Sequence, residues 1–234
     1  MTTYSSRGVH GQTVREVAGR ILNGAYREGS TIDVAGLEAE LEVSRTVMRE
    51  ALKVLAAKGL VDARQKRGTF VRPRSDWNLL DTDVIRWQFA ERTDDDFLDN
   101  LHEVRWIIEP AGARLAAQRR TEDDLGALES ALEEMTLARG DPAAAVEADL
   151  AFHRALLAAT HNELVVRMEM LLETGLATRD RLVHGAHPYN DPVPGHRAVF
   201  DAVRRRSPAR AERAMRELLV KAMEDLQRAR REQP

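Results

Sequence analysis

Two sets of residues in this chain combine types and spacings that chemistry can use. In Glu147-Ala-Asp-Leu-Ala-Phe-His-Arg-Ala155, Asp149 and His153 stand four apart, which on a helix puts a carboxylate and an imidazole on one face. With one more nitrogen ligand they could hold a divalent metal, and His196, in Gly195-His-Arg-Ala-Val-Phe-Asp-Ala-Val203, is the candidate. Nitrogen and oxygen donors of this kind suit zinc and similar ions. A plain surface or capping contact between Asp149 and His153 is the alternative reading of the same spacing.

The second set lies in Val43-Ser-Arg-Thr-Val-Met-Arg-Glu-Ala-Leu52, where Ser44, Arg45, Thr46 and Arg49 occupy the first turn and a half of a helical pattern. Bases there oppose the helix dipole, which favours acids at the N-terminus. A nucleic acid outside the protein removes the conflict, because a helix N-terminus and guanidinium groups both attract phosphate, and arginine pairs bidentately with guanine. The alternative is that Arg45 and Arg49 make surface contacts to Glu42 or Glu50. Arg105 poses a related question. It shares a helical stretch with the apolar Leu101, Val104, Ile108 and Leu115, so its guanidinium needs a partner. An anionic ligand held bidentately would serve, as would Glu109 or Asp149.

These residues need elements to position them. Residues 1–10 read as a flexible tail. Val14, Val17, Ala18, Ile21 and Leu22 recur at helical spacing until Asn23-Gly24. Ser30-Thr31-Ile32 reads as a short strand, and Asp33 as the N-cap of a small helix carrying Leu37 and Leu41. Ser44 caps a third helix with an inward stripe of Val47, Met48, Ala51, Leu52, Val54 and Leu55, closed by Gly59. Leu60 to Val71 follows as two strands joined by a basic turn, with Lys66, Arg67 and Gly68 at its tip. Glycine there allows close backbone approach, and the cations can reach phosphate or the minor groove. This order is that of a winged helix-turn-helix, assigned to residues 11–72. Residues 73–82 read as a linker, because Pro73 and polar residues interrupt the pattern.

The remainder, 83–234, reads as an all-helical antiparallel bundle with helices near 83–91, 95–119, 122–139, 142–160, 162–182, 194–206 and 208–231. Asp141-Pro142 and Ser207-Pro208 each place a cap before a proline at the first helical position. The fold class is therefore mainly α. Charge divides the same way: residues 1–75 hold 13 Lys/Arg against 8 Asp/Glu, and residues 76–234 hold 22 against 30. The division suggests a polyanion partner for the basic first part and none for the acidic remainder; chance variation of surface charge is the alternative. There is no cysteine, which excludes disulfides, thiolate metal sites and a cysteine nucleophile and suits a reducing cytoplasm. No apolar stretch approaches the ~20 residues of a membrane span.

Val43-Ser-Arg-Thr-Val-Met-Arg-Glu-Ala-Leu52, Gly59-Leu-Val61 and Arg67-Gly-Thr-Phe-Val71 together resemble the DNA-binding domain of the GntR family of bacterial transcription factors. The resemblance implies operator contacts for Arg45, Thr46, Arg49, Arg67 and Gly68. It extends further, since Val104-Arg-Trp-Ile-Ile-Glu-Pro110, Asp149-x-x-x-His153, Thr160-His-Asn162 and His196-Arg-Ala-Val-Phe-Asp-Ala202 resemble the FCD effector domain of the FadR-like subgroup. That likeness implies a metal on an aspartate and three histidines, with a carboxylate effector completing the shell. Asp149, His153 and His196 match. Leu218 stands where the remaining histidine is expected, and His184 or His187 could substitute only if their loop folds inward. Arg105 and Asn162 are the candidate effector-binding residues. Arg72 to Trp87 is similar to the linker of repressors of sugar-acid operons, which implies an effector such as galactonate or gluconate.

The resulting expectation is a homodimeric repressor that binds double-stranded operator DNA and senses a small organic acid. An acyl-CoA or other effector bound without metal is the alternative within that class. A hydrolase using metal-activated water at Asp149, His153 and His196 is the rival from another class. It leaves the basic first domain unexplained and lacks an obvious general base.

Overall fold

The computed structural model describes residues 8–91, 95–138, 140–168 and 191–232, and the chain divides into two compact units, Met1–Asp94 and Asp95–Pro234. In the first, α1 (Val9–Leu22), α2 (Val34–Glu40) and α3 (Arg45–Ala57) precede the hairpin β1 (Val61–Arg64) and β2 (Gly68–Val71). Val14, Val17 and Ala18 of α1 and Met48, Ala51 and Leu55 of α3 are completely buried, which is the helical stripe pattern turned inward. The strands are antiparallel, pairing Val61 with Val71 and Arg64 with Gly68. The expected strand at 30–32 is reduced to one bridge, Thr31 to Phe70, although Ile32 N–H donates to the Thr69 carbonyl at 2.9 Å.

Local chemistry fixes where these helices begin and end. Asp33 accepts from Gly36 N–H at 3.0 Å and Ser44 from Val47 N–H at 3.3 Å, each satisfying a donor the helix cannot. Gly59 closes α3 at φ +78, with Leu60 N–H reaching back to the Leu55 carbonyl at 3.0 Å. A β-carbon on Gly59 would lie 2.4 Å from the Asp76 carbonyl oxygen, so close backbone approach also requires glycine.

Two sequence expectations change here. Residues 1–7 of the expected tail lie outside the described residues, and Val9 and His10 are already helical. Residues 73–82 are not a free linker. A 3-10 turn, Arg74–Asp76, leads to the buried Trp77, whose indole N–H donates to the Arg72 carbonyl at 2.9 Å. Asn78 N–H bonds the Lys58 carbonyl at the end of α3, and Lys58 pairs with Asp81 at 2.7 Å and Asp83 at 2.8 Å. Helix α4 (Thr82–Glu91) then packs Val84 and Trp87 into the same core as α1 and α3. The second unit therefore starts at 95 and not at 83, because buried tryptophans bind this segment to the first.

The second unit comprises α5 (Asp95–Arg119), α6 (Glu122–Leu137), α7 (Pro142–Ala158), α8 (Glu163–Arg167), α9 (Val193–Arg204) and α10 (Pro208–Glu232) among the described residues. Thr121 and Asp124 form a capping box at α6, and Asp141 caps α7 with Pro142 behind it. Phe152 and Leu156 of α7, Leu128 and Leu132 of α6, Phe200 of α9 and Leu219 of α10 share one core. Residues 169–182 of the helix expected at 162–182 lie outside the described residues. None of the described helices is long and apolar enough to cross a membrane.

Candidate nucleic-acid interface and candidate metal centre

Helix α3 buries Met48, Ala51 and Leu55, which leaves Ser44, Arg45, Thr46 and Arg49 exposed. Among the described residues neither Arg45 nor Arg49 has a hydrogen bond or ion pair. Glu50, one of the acids that might have taken them, is instead paired with Lys53 at 2.7 Å. The first turn of α3 contains no acid at all. A helix N-terminus, a capping hydroxyl and two uncommitted guanidinium groups thus face solvent together, an arrangement suited to a phosphate backbone and base edges.

The hairpin tip adds a second cationic point. Lys66 is exposed at φ +68 and Gly68 follows at φ +80. Arg67 is used differently from its neighbour: its guanidinium lies 3.7 Å from the Phe70 ring centroid and donates to the Gly29 carbonyl at 2.7 Å. It stiffens the hairpin against the preceding loop, and Lys66 is the cation that projects.

In the second unit, Asp149 and His153 of α7 and His196 of α9 are all buried, with ligand atoms within 4.8 Å of one another. His196 Nδ1 lies 2.8 Å from the Pro192 carbonyl oxygen. A carbonyl can only accept, so Nδ1 carries the proton and Nε2 of the neutral ring is an acceptor. That acceptor faces Asp149 Oδ1 at 3.0 Å, and two lone pairs meet unless a cation lies with them. His153 repeats the pattern, with Nε2 3.7 Å from Asp149 Oδ2 and Nδ1 3.0 Å from Glu109 Oε2. His153 Nδ1 and His196 Nε2 are buried without an aligned hydrogen-bond partner. One carboxylate and two imidazoles in this state fit a divalent ion such as zinc.

Carboxylates set the charge around His153. Burial alone would lower the His153 imidazole pKa, but the Glu109 and Asp149 carboxylates outweigh it and raise it above the ordinary value. Burial would raise the Glu109 carboxyl, yet Arg105 and His153 hold it down to about 2. Arg105 Nε lies 2.6 Å from Glu109 Oε1, so the internal partner anticipated for this arginine is Glu109. Arg105 also lines a small cavity with Leu98, Leu101, His102, Ala222, Met223 and Leu226.

Two further expectations have definite locations. Leu218 is buried, and a β-carbon on Gly195 would approach its Cδ1 to 2.8 Å. Position 218 therefore lies beside the ligand-bearing turn of α9 and offers methyl groups there. Asn162 caps α8, accepting from Leu164 N–H at 3.1 Å, which gives its side chain a structural task. His184 and His187 lie outside the described residues. The residue that sequence reasoning underused is Glu109; it was visible as a partner four after Arg105, but not as a contact of His153.

Comparison with known proteins follows the same division. Residues 9–71 match the model of the bacterial regulatory proteins of the gntR family, and residues 100–221 match that of the FCD domain. The galactonate operon transcriptional repressor of Escherichia coli (strain K12) is 38% identical over 199 residues, 83% of this chain and 86% of that protein. The HTH-type transcriptional regulator LutR of Bacillus subtilis (strain 168) is 34% identical over 206 residues, 83% of this chain and 90% of that protein. The solved structure of Lar, which controls expression of the Listeria monocytogenes agr system, aligns with a TM-score of 0.64 over 97% of this chain and 99% of that one. At 16% identity this last likeness is one of fold.

Proposed function

The chain belongs to the GntR family of bacterial regulatory proteins and carries an FCD domain, which makes it a DNA-binding transcriptional regulator and not an enzyme; from that premise we propose that it is a homodimeric repressor released from its operator by a small carboxylate, a sugar acid, sensed at a metal centre of Asp149, His153 and His196. The observation that carries this reading is the convergence of two buried imidazole nitrogens on one buried carboxylate. The name of the galactonate operon repressor supports a sugar acid such as galactonate or gluconate as the effector. An ion held by three protein ligands keeps open positions that an effector carboxylate can fill. Arg105 is the cation assigned to neutralise that effector, which would draw it from its pair with Glu109.

On the DNA side, Arg45, Thr46 and Arg49 read base edges and phosphates, with Ser44 and Lys66, Arg67 and Gly68 of the hairpin completing the interface. Two copies would match a palindromic operator. Release is a population shift: the effector binds more tightly to the domain arrangement that misplaces the two recognition helices. A ligand of equal affinity for both arrangements would shift nothing.

The test is operator affinity by fluorescence anisotropy, on a duplex selected from a random library, with zinc and with galactonate or gluconate. The expected result is a weakening of about 5–150-fold at saturating effector. His196→Ala should abolish that response and leave affinity for the operator intact. Affinity unchanged across the sugar acids would remove the effector assignment, and an equal loss of binding and response in His196→Ala would mean that the variant has misfolded.

A further inference from the structure

Arg105, Glu109, His153, Asp149 and His196 form one continuous row of buried contacts. Glu109 is the member that the sensing function has not used. It has no solvent exposure, and its two oxygens are divided: Oε1 lies 2.6 Å from Arg105 Nε, while Oε2 lies 3.0 Å from His153 Nδ1. A carboxylate serving arginine alone would close a parallel fork with both oxygens. Here the second arm of that fork, Arg105 Nη2 to Oε2, is long at 3.4 Å, and Oε2 is closer to the imidazole.

The two histidines of the centre are thus held from behind by different groups. His196 Nδ1 rests on a main-chain carbonyl, that of Pro192, which is fixed by the helix start. His153 Nδ1 rests on a charged side chain that is itself tied to Arg105. We propose that Glu109 is a positioning residue of the metal centre: it accepts a hydrogen bond from Nδ1–H of His153, so that Nε2 is presented to the ion beside Asp149, and it links that histidine to the effector arginine. The inference rests on the metal reading above. Its chemistry is general, because a carboxylate behind a ligating imidazole fixes the tautomer and strengthens the donor. His153 Nδ1 lies 3.0 Å from Glu109 Oε2 without an aligned bond, and an ion held at Nε2 would leave Nδ1–H to that carboxylate.

Two measurements test this. In the full-length wild-type protein labelled with 15N-histidine, addition of 113Cd should give one-bond coupling to Nε2 of both His153 and His196, with both Nδ1 atoms still protonated. In Glu109→Gln, zinc affinity measured by competition with a chromophoric chelator should fall by about 10–100-fold, and the Nδ1–H signal of His153 should shift while that of His196 stays. Cadmium bound through His153 Nδ1 overturns the role of Glu109 and leaves the metal centre standing. So does a Glu109→Gln affinity within about twofold of wild type. Failure of the wild-type protein to bind cadmium at either histidine overturns both. If Glu109→Gln does not fold, the wild-type coupling pattern alone decides.

Discussion

Arg49 and Arg105 are the same residue type on two helices of one chain, and the protein treats them in opposite ways. Arg49, like Arg45, stands exposed with no hydrogen bond or ion pair among the described residues, and its neighbour Glu50 is engaged by Lys53. Arg105 is buried and locked to Glu109 at 2.6 Å. A buried guanidinium must bring its counter-charge with it, since desolvation is costly for an unpaired ion. An exposed one can leave that place open for a partner. Where the counter-charge resides therefore separates the exposed surface suited to a polyanion from the interior proposed to sense a small acid.

The comparison breaks most readily at its buried side. Arg105→Ala strands the Glu109 carboxylate and should destabilise the second unit by about 3–5 kcal/mol, read from urea unfolding; a loss below about 1 kcal/mol would show that the row is not tightly paired. Next comes the support behind the exposed side. Gly59→Ala forces a β-carbon into a left-handed backbone and against the Asp76 carbonyl, with an expected cost to the first unit of about 2–4 kcal/mol. Calorimetry on that variant checks whether α3 is braced at its C-terminus as described.

Arg49→Ala sharpens the contrast directly. Operator affinity should weaken by about 1–3 kcal/mol, while unfolding stability moves by less than about 0.5 kcal/mol because no internal pair is lost. The smallest effect is expected from Ser44→Ala, which removes the cap on Val47 N–H and should cost about 1 kcal/mol of stability in thermal unfolding. A neutral result there would mean that solvent satisfies that donor equally well.

Much of this was legible in the sequence because the signals are local. Asp33, Ser44, Asp141 and Gly59 declare helix ends through their own side chains or lack of one, and each lies at the end anticipated. The spacing of Asp149 and His153 survives folding unchanged because both sit on α7, and His196 was the candidate third ligand from its residue type before the resemblance gave it weight. What failed was non-local. Residues 73–82 contain a proline and polar groups, so periodicity reads them as a linker; only tertiary contacts of Trp77 and the Lys58 pairs with Asp81 and Asp83 reveal that they belong to the first core. Arg67 was legible as a cation of the hairpin tip, but its stacking on Phe70 depends on strand register. Glu109 reaches His153 across two helices, which no spacing along one of them announces.

The division of labour between the two arginine environments is tested most directly by titrating one operator duplex with three proteins: wild type, the Arg45→Ala/Arg49→Ala double variant, and His196→Ala, each with zinc, with and without gluconate. The double variant should bind the operator no better than random DNA under either condition, and His196→Ala should bind as wild type does but ignore gluconate. Wild-type operator affinity in the double variant would contradict the account at its centre.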